Sequence, residues 1–315
     1  MQPLDGTLVV DLSRYLPGPF ASRELLRLGA RVIRLEPPEG DPMRTTAPAW
    51  DAALNADKES VRIDLKADPE IGRELCSTAD VVIESFRPGV AARLGIGPDD
   101  VPERVVYCSI IGFGLGNRHE QRAGHDLNYL GWAGVLEDTA PALPPVQVAD
   151  LAAGALDAVA QILAALLDRE RTGRGGHVVV SMTHGSHRLA AHRLGGEPVP
   201  QMLTGGAACY RIYRTADGRW LTVAALEPKF WLRFVELVGL PHLGLRQWDP
   251  RLPELEARMR ERPLAEWLEL FDGEDVCVGP VATAAEAAAE FGGEPQGRAA
   301  ALGEHTDAWR RELGL

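Results

Sequence analysis

Short β-branched runs alternate with helical segments through the first half of the chain, and this alternation restricts the fold more than any other feature. Leu8-Val9-Val10-Asp11-Leu12, Arg31-Val32-Ile33-Arg34-Leu35, Val61-Arg62-Ile63-Asp64, Val81-Val82-Ile83 and Val105-Val106-Tyr107-Cys108-Ser109 read as strands. Phe20 to Leu28 and Asp68 to Ala79 read as helices, the second with Asp68 as N-cap and Pro69 at the first helical position. Apolar strands joined by helices specify an α/β fold, a mostly parallel sheet covered on both faces. In such sheets ligands lie beyond the carboxyl ends of the strands.

Length, charge and motifs narrow the function. The 315 residues with 45% hydrophobic content can bury a full core, as one large domain or two. The opening Met1-Gln2-Pro3-Leu4-Asp5-Gly6 has no basic leader, and no run approaches the ~20 consecutive apolar residues of a membrane helix, so a cytoplasmic protein without a membrane is expected. Cys76, Cys108, Cys209 and Cys277 are too scattered for a zinc or redox pair. A net charge of −12 argues against nucleic acid. The first turn, Ser13-Arg14-Tyr15-Leu16-Pro17-Gly18-Pro19, lacks the glycine fingerprint of nicotinamide and flavin sites. Arg31, Arg34, Arg44, Lys58, Arg62, Arg87 and Arg93 nevertheless gather in the first hundred residues, several near expected strand ends. They read either as solvated surface or as the cradle of a small polyanion.

The second half changes character. Ala149 to Leu167 reads as a long buried helix with Asp150 in its first turn, and His177-Val178-Val179-Val180-Ser181 as a further strand. Two alternating strands joined through Ala216-Asp217-Gly218-Arg219 make a hairpin, followed by helical segments from Pro228, Pro253 and Leu264. This is a smaller α+β domain. His184, His187 and His192 have no acidic or thiol partner at ligand spacing, so no metal is expected.

One pair of residues points to chemistry. Gly124-His125-Asp126-Leu127-Asn128-Tyr129 and Val148-Ala149-Asp150-Leu151 each place an ionisable group at a helix start. Asp150 reads equally as a helix cap, and a single histidine equally as a structural one. An imidazole and a carboxylate on opposite sides of one carbon could take a proton from one face and return it to the other.

Leu4-Asp5-Gly6, Pro17-Gly18-Pro19-Phe20-Ala21, Leu28-Gly29-Ala30-Arg31-Val32-Ile33, Glu39-Gly40-Asp41-Pro42-Met43-Arg44, Phe86-Arg87-Pro88-Gly89-Val90, Glu170-Arg171-Thr172-Gly173-Arg174-Gly175 and Leu302-Gly303-Glu304-His305-Thr306-Asp307 together resemble the family III CoA-transferase superfamily of CaiB/BaiF type. The likeness runs nearly end to end, and Gly124-His125-Asp126-Leu127-Asn128-Tyr129 resembles its α-methylacyl-CoA racemase branch. It implies a Rossmann-like large domain from residues 1–190 and 284–315, a linker at 191–204, a small domain at 205–283 and an interlocked homodimer. It implies an acyl-CoA thioester substrate, with no cofactor beyond that CoA, in lipid metabolism. Arg34, Lys58 and Arg87 become the expected CoA contacts, and His125 and Asp150 the acid/base pair. Glu227 becomes an acid that approaches the histidine from the partner chain. The rival on this scaffold is CoA transfer with Asp150 as nucleophile, and a further alternative is a non-catalytic CoA-binding protein. Two departures stand out: between Ser181 and Tyr210 only Met182 and Met202 occur, implying a small or polar acyl group, and Gly176 stands where the family commonly has Gln.

Overall fold

The computed structural model describes residues 2–137, 139–190, 201–293 and 297–315. The chain divides into two compact units, Met1–Ala191 with Pro295–Leu315, and His192–Glu294.

In the larger unit six strands, β1 (Leu8–Asp11), β2 (Arg31–Glu36), β3 (Glu59–Arg62), β4 (Val81–Glu84), β5 (Val106–Ile111) and β6 (His177–Ser181), form one sheet in the order β3-β2-β1-β4-β5-β6. Every pairing is parallel. The chain therefore reverses direction across the sheet between β1 and β4, where doubly wound folds open a crevice for ligand. On one face Val9, Val32, Val81 and Val106 pack against Leu25 and Ile162. On the other, Val10, Ile33, Val61 and Val82 pack against Ile71, Leu75 and Trp309. Burial on both faces explains why these strands read as continuous apolar runs.

Where the pattern is weaker, boundaries move. β3 covers Glu59–Arg62, earlier than the Val61–Asp64 run suggests, because it is an edge strand held from outside by the C-terminal segment. His305 N–H donates to Ser60 O at 2.9 Å, Ser60 N–H to His305 Nδ1 at 3.1 Å, and Arg62 N–H to Thr306 Oγ1 at 2.9 Å. The segment thereby covers an edge that would otherwise be open to another chain. The second helix begins at Glu70, and Asp68 does not cap it; its carboxylate accepts from Arg310 instead.

The long apolar helix differs from expectation in its first two turns. Ala149–Leu156 is π-helical and only Asp157–Thr172 is α-helical, ending at Gly173 with φ 72°. A π turn is wider than an α turn and recurs at functional sites. Small residues accommodate it: a Cβ on Gly185, in the helix Met182–Leu189, would lie 2.8 Å from Ala153 O. By length and composition alone the continuous helix Ala149–Thr172 is apolar enough to cross a membrane. Its Ala158, Ile162 and Leu166 are buried in the core beside the sheet.

The smaller unit carries an antiparallel sheet, β7 (Tyr210–Arg214), β8 (Trp220–Ala224) and β9 (Val278–Pro280), in that order. The β7–β8 turn uses Gly218 at φ 77°, a conformation glycine adopts without strain. Trp231, Phe234, Leu255 and Trp267 from its helices fill the core. Helix Ala284–Phe291 belongs here, with Glu286 bonded to Arg219 at 2.8 Å. The return to the larger unit thus follows that helix, later than residue 284. Of the expected linker, 191–200 lie outside the described residues, and Gln201–Thr204 forms a short 3-10 turn.

Candidate active site

The carboxyl ends of the strands open into two cavities. The larger, about 680 Å³, is lined by the loops after β1, β4 and β5 and by the starts of the helix Asp126–Trp132 and the π turn. His125 and Asp150 both line it, with Arg87. The adjoining cavity, about 300 Å³, is walled by Glu36, Pro38, Glu39, Asp64, Leu65 and Lys66, and shares Arg14 and Phe86 with the first. A long ligand could run from one to the other past Phe86.

His125 occupies the N-cap of its helix in extended backbone, and its N–H donates to Asn128 Oδ1 at 3.1 Å. The turn before it is set by Tyr129, whose hydroxyl donates to Gly124 O at 2.5 Å. A Cβ on Gly112 or Gly124 would fall 2.5 or 2.7 Å from the Tyr129 ring, so only glycine lets that ring lie between the two loops. Asp150 N–H donates to Asp126 Oδ1 at 3.0 Å, which ties the second helix start to the residue next to His125. Burial first, and then the Asp126 charge, push the Asp150 carboxyl up to about 7. A carboxyl so shifted holds its proton far closer to neutral pH than a free one, as a group that must also act as an acid requires.

Two of the three expected CoA contacts are not at either cavity. Arg34 is 2% exposed, and its Nη2 lies 2.6 Å from Asp51 Oδ1 and 3.2 Å from Asp41 Oδ2. Its Nε lies 3.5 Å from Glu36 Oε1 and is without a hydrogen-bond partner. Offering this guanidinium to a phosphate would break a buried ion cluster. Lys58 is equally enclosed: its Nζ reaches Pro19 O at 2.7 Å, Ser22 Oγ at 2.8 Å and Asn55 Oδ1 at 2.9 Å. An ammonium has three hydrogens, and all three are used.

Both cations instead brace the loop after β1. Asp41, bound to Arg34, accepts from Tyr15 N–H at 3.0 Å, and Tyr15 sits at φ 66°. Asp11, near Lys58, accepts from Ser13 N–H at 2.9 Å and Ser22 Oγ at 2.5 Å. This loop presents Arg14 and Tyr15 to the cavity. Arg14, Lys66 and Asp126 also line or adjoin these cavities, and their place just beyond strand ends or beside His125 is the signal that the sequence carries for them.

Glu227 lies in the smaller unit, exposed, at the N-cap of helix Pro228–Leu237. Met182 lines the larger cavity, whereas His192 and the side chain of Met202 lie outside what is described. Gly176 has φ 83°, so glutamine there would be strained. His184 Nδ1 lies 2.8 Å from Ser181 Oγ and His187 Nδ1 3.1 Å from Ala133 O, and no metal-holding cluster occurs among the described residues.

Residues 4–306 match the family model CoA-transferase family III. The chain belongs to that family. It is 35% identical over 305 residues to human α-methylacyl-CoA racemase, covering 89% of this chain and 78% of that protein. It is also 31% identical to mouse succinyl-CoA:glutarate CoA-transferase, covering 89% of this chain and 72% of that one. In structure it is similar to a CAIB/BAIF family protein from Brucella suis, with a TM-score of 0.86, 28% identity and 99% of each chain covered. Both isomerisation and CoA transfer occur among these family relatives, so the choice between them depends on the chemistry of the cavity.

Proposed function

We propose that this family III protein is an isomerase that inverts the α-carbon of a 2-methylacyl-CoA thioester, with His125 and Asp150 as its two acid/base groups. The observation that carries the reading is that these two side chains, from separate helix starts, line one cavity, with the carboxyl pushed up to about 7. A hydrogen α to a thioester is weakly acidic, and its removal needs a positioned base and a second group ready to donate. When neutral His125 removes the proton, protonated Asp150 supplies one to the opposite face; in the reverse direction the roles exchange.

The ligand reading follows the cations on the cavity walls that no carboxylate pairs with, set among Glu36, Glu39 and Asp64. Among the described residues no carboxylate pairs with the side chain of Arg14 or Arg87 on the cavity wall, or of Lys66 in the adjoining cavity. We assign these three to the CoA portion in place of Arg34 and Lys58. By likeness we further propose a homodimer in which Glu227 approaches the histidine from the partner chain.

CoA transfer is the second reading. There Asp150 would attack the acyl-CoA, forming a mixed anhydride and then an aspartyl-CoA thioester. Transfer needs no histidine, so His125 on the same cavity wall as Asp150 favours proton exchange. The test is incubation with one enantiomer of a 2-methylacyl-CoA in deuterium oxide without any acceptor acid. Deuterium at the α-carbon with loss of optical activity is expected. Turnover that requires an acceptor acid, with an Asp150 adduct trapped by hydroxylamine, would establish transfer instead.

A further inference from the structure

Asp126 follows His125 directly at the start of its helix. Its carboxylate is half-buried, and its Oδ1 receives the Asp150 N–H at 3.0 Å, joining the two helix starts that carry the proposed acid/base pair. We propose that Asp126 is a positioning residue that acts through Asp150, its oxygen fixing the Asp150 main chain at the cavity wall and its charge opposing ionisation of the Asp150 side chain. This rests on the assignment of Asp150 as an acid/base group.

The environment of Asp150 isolates Asp126 as the charge that matters. The helix Asp126–Trp132 brings Asp126 and Tyr129, with His125 ahead of them, and the preceding loop brings Glu120 and Arg122. Arg14 and Tyr15 come from the loop after β1, and Arg87 from the loop after β4. The helix Met182–Leu189, packed on the π turn, carries His184, His187 and Arg188, which are bonded to Ser181, Ala133 and Asp157. The helix Pro17–Arg27 carries Arg23, Glu24 and Arg27, and the packed strands carry Tyr107, Cys108 and His177. Of all these, only Asp126 joins burial in raising Asp150. The same two carboxylates also push the Tyr129 hydroxyl up to about 12, after burial. Two nearby carboxylates resist being ionised together, so the more buried one keeps its proton to higher pH.

Asp126→Asn separates the two contributions, because the amide keeps an oxygen for the Asp150 N–H and loses the charge, whereas Asp126→Ala removes both. The midpoint of the carboxyl limb in the pH profile of α-proton exchange is expected to fall by about one pH unit in Asp126→Asn, a tenfold change in proton affinity, with KM for the thioester unchanged. Asp126→Ala should show the same displacement and in addition a lower kcat at every pH. An Asp126→Asn profile that superimposes on the parent, or that drops uniformly without moving its midpoint, would overturn the proposal. The Asp150 side-chain carbon resonance, titrated in both proteins without substrate, gives a second measure: a lower midpoint in Asp126→Asn supports the proposal and an unmoved one rejects it. Absence of exchange in the parent would refute the isomerase reading, while this titration would still decide the part played by Asp126.

Discussion

His125→Ala is expected to lower racemisation by about 10²–10⁴-fold, the range over which a positioned acid or base acts, while wash-out of the α-proton survives for one enantiomer only. The asymmetry follows from the geometry proposed here. Each enantiomer directs its hydrogen at one of the two groups, so the enantiomer that faces Asp150 still loses its proton when the imidazole is gone. With no donor opposite, the carbanion recovers a solvent deuteron from Asp150 on the original face, giving exchange with retention. Asp150→Ala should give the mirror pattern. Measuring deuterium uptake and optical rotation separately for both enantiomers and both variants distinguishes this from a single-base mechanism, in which one variant would lose everything and the other nothing. If the protein were a CoA-transferase, His125→Ala would leave transfer largely intact and Asp150→Ala would abolish it.

The second large effect is on stability. Lys58→Met is expected to destabilise the larger unit by about 3–5 kcal/mol, the cost of removing one member of a buried charged cluster. Pro19 O, Ser22 Oγ and Asn55 Oδ1 would lose their donor, and the buried Asp11, 3.8 Å from the amine, its compensating charge. Burial dominates in moving the Lys58 amine down from 10.5 to about 7, with Asp11 opposing. Denaturant midpoints measured for Lys58→Met and the parent at pH 6, where the amine carries its charge, should show this deficit. A variant that unfolds like the parent but binds CoA thioesters more weakly would restore Lys58 to the ligand site.

Lys58 also marks the limit of what the amino-acid order conveys. The parallel sheet is legible because Val9, Val32, Val81 and Val106 lie between two helical layers, and burial on both faces leaves an unbroken apolar run. The two helix starts at His125 and Asp150 are legible because an apolar periodic segment follows each one. The partners of a charge are not legible in the same way. Arg34 meets Asp41 and Asp51, and Lys58 meets Ser22 and Asn55, only after the loops and short helices that follow β1 and β2 have folded back. A cation near a strand end can therefore be read as a phosphate contact when it is a brace for the loop that makes such contacts. The π turn is hidden for a related reason: an alanine-rich stretch fits an α or a wider helix equally, and the close approach of Gly185 to Ala153 selects between them only in three dimensions. Asp126 falls within the recognised motif, yet its influence on Asp150 appears only when the two helix starts meet.

A structure of the protein with an unreactive 2-methylacyl-CoA analogue tests the central claim most directly. The thioester α-carbon is expected in the larger cavity with the His125 imidazole and the Asp150 carboxyl on opposite faces, each about 3–3.5 Å away, and the CoA chain passing Phe86 towards Lys66. A thioester carbon reached from one side only, or an analogue bound away from this cavity, would contradict it.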